Sequence, residues 1–312
     1  MRMAAASRLA FVPLLLGMTV FVPAPVTGQA EPPRKVFTSR SDVVLLHVSV
    51  LDRKAGYVPG LPREAFSVYE NGRPQTVTFF QNEDTPVTVG LVIDSSGSMQ
   101  YKRDAVIAAG LAFARSSHPG DEMFTINFNE RVWSGLPPGL PFTSTIEDLE
   151  RALQRSTARG QTALFDALRV SFGHLEKGGQ QKKVLIVVSD GEDNASTARF
   201  EDVLEAALRT DAVIYTIGLS DEYERANSKL LRKLAEATGA DAFFPRDPRE
   251  TTRILERIAR DIRSGYTIGY APADQDEGFR AVRVTVASPH GRKLSVRARS
   301  GYLAPAVANH GR

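Results

Sequence analysis

Five oxygen-bearing side chains fall where two apolar runs end and where a helical pattern begins. Asp94, Ser96 and Ser98 occupy alternate positions after the first run, so a turning loop can aim them at one point. Thr162 follows a Gly-Gln turn ahead of the helical pattern, and Asp190 follows the second run. Two carboxylates and three hydroxyls are hard donors that favour Mg²⁺, with Mn²⁺ or Ca²⁺ as alternatives, over zinc or copper. These side chains predict a divalent-cation site at which an acidic group of a protein partner completes the coordination.

The elements that must position these residues alternate between strand and helix. Apolar runs of strand length are separated by amphipathic helical patterns from residue 86 to residue 264. Such alternation is typical of a mainly parallel sheet covered by helices on both faces. We therefore predict a doubly wound α/β domain over residues 86–264. Ligands of this fold bind at the carboxyl ends of the strands, which is where the loops carrying Asp94, Thr162 and Asp190 lie.

Two flanking segments have strand patterns and no helical pattern. Residues 42–51 alternate apolar and polar side chains, and Asn71-Gly72 is a favoured hairpin turn between Phe66-Val68 and Val77-Phe79. Neither flank has enough strands for a core of its own. We predict that residues 31–85 and 265–312 pair into one small β-sandwich, with the α/β domain inserted between them.

Charge and composition argue against a nucleic-acid partner. The formal net charge is +3, and two of the positive charges lie in the first 30 residues, so the remaining chain is nearly neutral. Arg283, Arg297 and Arg299 alternate with apolar residues near the C-terminus. We interpret this alternation as the solvated face of a strand rather than as a nucleic-acid-binding patch.

The first 30 residues have the pattern of an export signal. Arg2 and Arg8 precede an apolar stretch that ends at two prolines, and small residues at positions 28 and 30 fit cleavage after Ala30. A membrane anchor is the alternative, but the apolar stretch is short for a span. Cleavage would leave no membrane span and an exported protein, periplasmic or extracellular. The chain has no cysteine, so its stability cannot depend on disulfides.

The five candidate ligands, in this order and in this strand–helix pattern, resemble the metal ion-dependent adhesion site of von Willebrand factor type A domains. The motif D-x-S-x-S occupies residues 94–98, Thr162 follows, and Asp190 stands in "SDGED". The resemblance covers residues 86–264. It implies that the three motif residues bind the metal directly and that Thr162 joins them in the ligand-competent state. It also implies that Asp190 binds directly or through water.

The flanks add to this resemblance. The stretches "GYVPGLPREAFSVYENGRPQTVTFFQNED", "YTIGYAP" and "VRARSGYLAP" are similar to secreted bacterial proteins related to von Willebrand factor type A domains. In some such domains the last helix slides when a ligand binds. The corresponding helix here has an apolar stripe at helical spacing, which predicts packing on the sheet. The stripe consists of Ile254, Leu255, Ile258, Ala259 and Ile262.

Other interpretations compete at single positions. Ser96 and Ser98 could cap the helix that follows them, although the full five-residue set favours metal binding. We interpret Glu192 and Asp193 as a solvated loop rather than as extra ligands. Asn194 starts a glycosylation sequon, which carries little weight in a sequence of bacterial type.

At the level of function, the sequence favours an exported metal-dependent protein-binding module that serves adhesion or interaction. A periplasmic assembly or scaffold factor, with contacts through the β segments, is the alternative. A metal-assisted hydrolase is disfavoured, because no nucleophile elbow, P-loop or general base is recognisable. We therefore predict that the protein is not an enzyme. The identity of the partner and the oligomeric state are left open.

Overall fold

The structure is a computed structural model, and the predicted signal peptide (residues 1–30) lies outside its described residues. In the described part of the chain, no helix is both long enough and apolar enough to cross a bilayer. The described part is residues 43–304 without 53, 55, 83, 156, 220–224, 274–276, 289–290 and 292.

Strands and helices follow one another largely as the apolar patterns predict, with short 3₁₀ turns between some of them. In chain order they are β1 (Val44–Asp52), β2 (Gly56–Tyr57), β3 (Phe66–Glu70), β4 (Arg73–Gln75), β5 (Val77–Gln81), β6 (Val87–Asp94), α1 (Arg103–Arg115), β7 (Glu122–Phe128), β8 (Val132–Ser134), α2 (Ile146–Gln154), α3 (Leu164–Leu175), β9 (Lys182–Ser189), α4 (Phe200–Arg209), β10 (Val213–Gly218), α5 (Arg225–Thr238), β11 (Ala242–Phe243), α6 (Thr251–Ser264), β12 (Tyr266–Tyr270), β13 (Gly278–Val286), β14 (Leu294–Arg297) and β15 (Gly301–Ala304).

The middle of the chain forms the predicted doubly wound α/β sheet. Its strand order is β11-β10-β9-β6-β7-β8, and all neighbours are parallel except the edge pair β7–β8. Leu91 of β6 packs into a core shared with α1 and α6, whereas Val92 packs into a second core shared with α3 and α4. Gly90 lies in β6, and a Cβ at this position would clash with the side chains of Phe124 of β7 and Leu185 of β9. The sheet is therefore covered on both faces, with β6 at its centre.

The apolar stripe of α6 packs on this sheet as predicted. Leu255, Ile258, Ala259 and Ile262 are buried in the core on the α1 side of the sheet, and Ile254 packs against it partly buried. The helix is consequently held by apolar contacts along its whole length.

The strands of the two flanks hydrogen-bond to one another. One sheet has the order β14-β1-β12-β5, with β2 added on β1, and the other has the order β15-β13-β3-β4. Residues of both sheets, including Leu46, Val68 and Tyr302, belong to one apolar core. The described residues nevertheless all fall in a single compact unit. A separate small all-β domain therefore stays a prediction.

The predicted hairpin at Asn71-Gly72 exists, but its second strand is short. Both turn residues have positive φ, 48° and 80°, as a type I′ turn requires. The returning strand β4 contains Pro74, which has no N–H to donate and is tolerated here at a sheet edge. Val77 and Phe79 lie in β5, which pairs with β12 in the other sheet.

The interpretation of the C-terminal arginines as a solvated strand face is wrong for two of the three. Arg283 is exposed and lies over the ring of Tyr69 at 4.4 Å. Arg299 is buried and donates to the carbonyls of Leu208 and Thr210, at 2.8 and 2.9 Å. Arg297 forms ion pairs with Asp241, which directly precedes β11, and with Asp261 of α6. Alternation indicates that a strand has two different faces, but it does not indicate what the polar face contacts. Here that face contacts the α/β segment and not water.

Asp261 of α6 is the centre of a polar contact between the α/β segment and the strands of the two flanks. This buried carboxylate accepts hydrogen bonds from Ser49 Oγ at 2.5 Å and from Tyr215 Oη at 2.7 Å, and it pairs with Arg297. The donors come from β1, β10 and β14. Because removing one partner of a buried charge pair is strongly destabilising, this contact fixes the end of α6 to the flank strands.

His47 of β1 is buried beside this contact and gives a pH-dependent stability. Burial, together with the charges of Lys182 and Arg299, lowers the pKa of His47 from 6.5 to about 3. Its Nδ1 lies 3.2 Å from Thr267 Oγ1. The folded chain thus keeps His47 neutral at a pH where the unfolded chain protonates it.

We expect His47 to lower the free energy of unfolding as the pH drops below 6.5, against Asp94, whose raised pKa of about 6 acts in the opposite direction over the same range. Between the two pKa values the unfolded state binds one more proton, so His47 removes about 1.4 kcal/mol per pH unit, or roughly 2 kcal/mol between pH 6.5 and 5. Urea unfolding at pH 7 and pH 5 measures this difference. His47→Gln should lose this part of the pH dependence, and His118→Gln should keep it. An equal drop in wild type and His47→Gln would contradict the assignment.

Candidate metal centre

Asp94 and Asp190 reach the same edge of the α/β sheet because their strands are neighbours. Asp94 is the last residue of β6, and Asp190 directly follows β9, which runs parallel to β6 with Ile93 opposite Val188. Both carboxylates are almost completely buried, with exposed fractions of 3% and 2%. Two acidic groups therefore share one small, poorly hydrated region at the carboxyl ends of central strands.

Hydrogen bonds bring four of the five predicted ligands together. Asp94 Oδ1 accepts from the backbone N–H of Ser96 at 2.8 Å, and Ser98 Oγ donates to Asp190 Oδ2. The hydroxyl oxygens of Ser96 and Ser98 lie 3.1 Å apart. Carboxylates and hydroxyls of two loops thus lie next to one another.

Thr162 lies in the adjoining loop, before α3. Its backbone N–H donates to Asn194 Oδ1 at 2.9 Å, and its carbonyl accepts from the N–H groups of Asn194 and Ala195 at 3.0 Å each. These bonds dock the Thr162 loop on the loop that carries Asp190. Thr162 is itself buried, with an exposed fraction of 1%. Its role as a metal ligand stays a prediction.

The competing interpretation of Ser96 and Ser98 as helix caps does not fit the geometry. Ser96 precedes the 3₁₀ turn Gly97–Met99 but makes no side-chain cap bond to it. The residue at the N-cap of α1 is Lys102, also without such a bond. The two serine hydroxyls point to each other and to Asp190 instead.

The electrostatics of the site call for a cation. Burial, and to a smaller extent the charge of Asp190, raise the pKa of Asp94 to about 6, while hydrogen bonds from Ser189 and Ser96 act in the opposite direction. No basic side chain is among the main causes of this shift. Two buried carboxylates without a positive partner are costly, so a divalent ion fits the residues that are present.

The chemistry of the donor atoms indicates which metal ions the site can bind. The described residues contain no cluster of three or more His, Cys, Asp or Glu suited to a metal. The carboxylates must therefore be supplemented by hydroxyls and water. Such an all-oxygen set suits Mg²⁺, which keeps several water ligands, better than ions that prefer nitrogen or sulfur.

Sequence reasoning missed the residues that support the ligands. Ser189 Oγ donates to Asp94 Oδ2 at 2.6 Å, and its position at the end of β9, directly before Asp190, was the available signal. Asp193 is half-buried rather than part of a solvated loop: its carboxylate accepts from Ser196 Oγ at 2.7 Å and from the N–H of Phe165 at 3.4 Å. These bonds hold the loop against the start of α3.

An exposed aromatic side chain borders the site. Tyr101 stands three residues after Ser98 and is 93% exposed, more than any other large hydrophobic side chain in the described part of the chain. Tyrosines of this kind often anchor protein partners, because a rigid ring contributes much contact area at small entropic cost.

Comparison with known families and structures agrees with this fold. Residues 89–192 match the family model described as the von Willebrand factor type A domain. The vWF domain of the type V pili tip protein Mfa5 from Porphyromonas gingivalis is similar over 57% of this chain and 95% of its own, with 14% identity and a TM-score of 0.50. A von Willebrand factor type A protein from Catenulispora acidiphila is similar over 86% of this chain and 75% of its own, with 16% identity and a TM-score of 0.52. No curated protein matches the sequence.

Proposed function

We propose, from the match of residues 89–192 to the von Willebrand factor type A domain, that the chain is an exported, metal-dependent protein-binding module. Domains of this family are typically interaction modules and not enzymes. The observation that carries the proposal is the buried pair Asp94 and Asp190, which has serine hydroxyls around it and, within the described part of the chain, no ion pair with a basic side chain.

Each ligand has a role in this proposal. Asp94, Ser96 and Ser98 hold Mg²⁺ directly, with Mn²⁺ or Ca²⁺ as alternatives. Thr162 joins when a partner is bound, and Asp190 acts directly or through water. The bound ion supplies a positive centre for a carboxylate of the partner. Two protein carboxylates only balance the charge of a divalent ion, so a further acidic group remains favourable.

The surroundings of the site support binding rather than catalysis. Ser189 and the backbone of Ser96 orient Asp94, and Asn194 fixes the Thr162 loop. None of these contacts supplies a general base, and His47 is buried in the β segment. Export to the periplasm or the extracellular space is part of the proposal and follows from the N-terminal sequence pattern.

We expect capture of a protein partner to require both the metal and Asp94. Wild-type protein on a resin should retain a partner from the cell-envelope fraction of its source in Mg²⁺ and release it in EDTA. Asp94→Asn should retain none under either condition. Retention that is equal in Mg²⁺ and EDTA, and equal for both proteins, would instead favour a scaffold that binds through the β segments.

A further inference from the structure

A basic cleft opens beside the metal loops. It lies between the edge strand β8 and the segment that joins α2 to α3, with a volume of about 450 Å³. A groove of this size accommodates one or two side chains of a partner. The residues lining it are Asn129, Glu130, Arg131, Val132, Trp133, Arg155, Thr157 and Arg159.

The positive charge of this cleft is not neutralised by the protein. Arg131, Arg155 and Arg159 face a single acidic residue, Glu130, and none of the three guanidinium groups forms an ion pair with any described residue. The Arg155 side chain donates only to the carbonyl of Gly135, at 3.5 Å. Exposed guanidinium groups without partners are ready to bind a carboxylate, often with two hydrogen bonds.

Backbone hydrogen bonds connect the cleft to the metal ligands. The N–H of Arg159 donates to the carbonyl of Ser95 at 2.9 Å, and Asn129 Nδ2 donates to the carbonyl of Arg159 at 3.2 Å. The carbonyl of Asn129 accepts from the N–H of Ala163 at 2.8 Å. Ser95 and Ala163 are direct neighbours of predicted ligands, so one set of loops builds both the metal site and the cleft.

The cleft also offers an apolar wall. Trp133 of β8 lines it half-exposed, next to the arginines. Combinations of tryptophan and arginine are enriched where protein partners bind, since the ring provides area and the guanidinium provides direction. An acidic side chain carried by a polypeptide fits both features.

We propose that this cleft is a second anchoring subsite, which takes a second acidic side chain of the protein segment whose first acidic group binds the metal. The inference rests on the proposed function. Because one backbone hydrogen bond joins the loop of Ser95 to the cleft residue Arg159, we place the second acidic residue a few positions from the first in the same segment.

Selection of displayed random peptides tests this inference. Peptides are selected on immobilised wild-type protein in Mg²⁺ and eluted with EDTA. We expect the enriched sequences to contain two acidic residues at a constant short spacing. Selection on Arg131→Gln/Arg159→Gln should enrich only the first acidic residue. The control is Arg169→Gln/Arg209→Gln, which removes two charges from exposed positions outside the cleft and should select the wild-type pattern.

A double-mutant cycle then measures the contact. One selected peptide is compared with a copy in which the second acidic residue is glutamine. On wild-type protein the glutamine copy should bind about fivefold more weakly, as expected for exposed charge pairs. On the cleft variant the two peptides should bind equally.

The contrary outcomes separate the cleft from the metal site. EDTA-dependent peptides with a single acidic residue, bound equally by wild type and cleft variant, would overturn the cleft and leave the proposed function intact. Failure of EDTA to elute any enriched peptide would overturn the proposed function and this inference together. Binding of a heparin oligosaccharide that needs the arginines but not Mg²⁺ would overturn the inference in favour of a polyanion site.

Discussion

Replacing Asp94 by asparagine is expected to abolish Mg²⁺ binding and to make the metal-free protein more stable. The substitution removes one of two carboxylates from a site with no other charged donor. We expect the affinity to fall at least about 100-fold, since even the outer-shell partners of metal ligands are worth about 10–100-fold. The same carboxylate is buried beside Asp190, and its pKa of about 6 means that the charged form costs up to roughly 3 kcal/mol in the folded chain. A neutral side chain of the same shape avoids that cost.

Calorimetry with Mg²⁺ and urea unfolding at pH 7, with and without Mg²⁺, give both readouts. Wild-type protein should gain stability from the ion, because a ligand that binds only the folded state stabilises it by mass action. Asp94→Asn should gain none. Glu192→Gln is the matched control: it removes an acid two residues after Asp190 and should bind Mg²⁺ like wild type. Unchanged Mg²⁺ affinity in Asp94→Asn would remove the metal from this loop.

The α/β sheet was predictable because its strands are continuous apolar runs. β6 and β9 are buried on both faces, and their length and flanking polar loops distinguish them from helices. Their parallel pairing places Asp94 and Asp190 at the same edge of the sheet. The positions of the two residues at the ends of these strands therefore sufficed to predict that they lie close together. Fold-level rules thus predicted where the candidate ligands lie.

β12 was not predicted as a strand because none of its residues faces solvent. All five of its residues, Tyr266–Tyr270, are buried, with Tyr266, Ile268 and Tyr270 in the core that the two sheets share, so the strand has no solvent-exposed face. Two tyrosines, a threonine and a glycine also dilute its hydrophobicity. Their polar atoms are paired in the fold: the Tyr270 hydroxyl, for example, donates to buried Glu70 at 2.6 Å.

The supporting contacts of the site could not be predicted from spacing. Ser189 and Asn194 act through single hydrogen bonds whose partners lie 95 and 32 residues away. Likewise, the partners of Arg297 and Arg299 belong to another segment of the chain. Alternation and spacing describe one element at a time, whereas these contacts depend on how loops and sheets meet.

The strand order of the flanks leads to a prediction about their mutual dependence. β1 lies between β12 and β14, and β5 pairs only with β12 among the described strands. A chain that ends at Ser264 loses β12 and β14 from beside β1, which keeps only its short pairing with the two-residue β2, and it loses the whole pairing of β5. Two hairpin-sized pieces without a partner sheet are marginal in water. The N-terminal flank is therefore expected to unfold when the C-terminal flank is removed.

The apolar core shows how large this effect should be. Leu46, Val48, Val50 and Val68 are each at most 1% exposed in the core that the two sheets share. Burying one such side chain is worth about 1.5–3 kcal/mol, and a domain is typically stable by only about 5–15 kcal/mol. Exposing several of them together removes most of that margin, so we expect the truncated chain to aggregate.

Size-exclusion chromatography and circular dichroism measure the outcome on the chain without its predicted signal peptide. The chain ending at Ser264 should elute as aggregate or lose strand signal. A chain ending at Ala304 keeps every described strand and should remain soluble, which separates the loss of β12 to β15 from the mere loss of residues at the end. Asp261 explains why the α/β segment should also suffer, because its partner Arg297 leaves with β14. A soluble, monomeric chain ending at Ser264 with undiminished strand signal would show instead that the N-terminal flank folds without its partner strands.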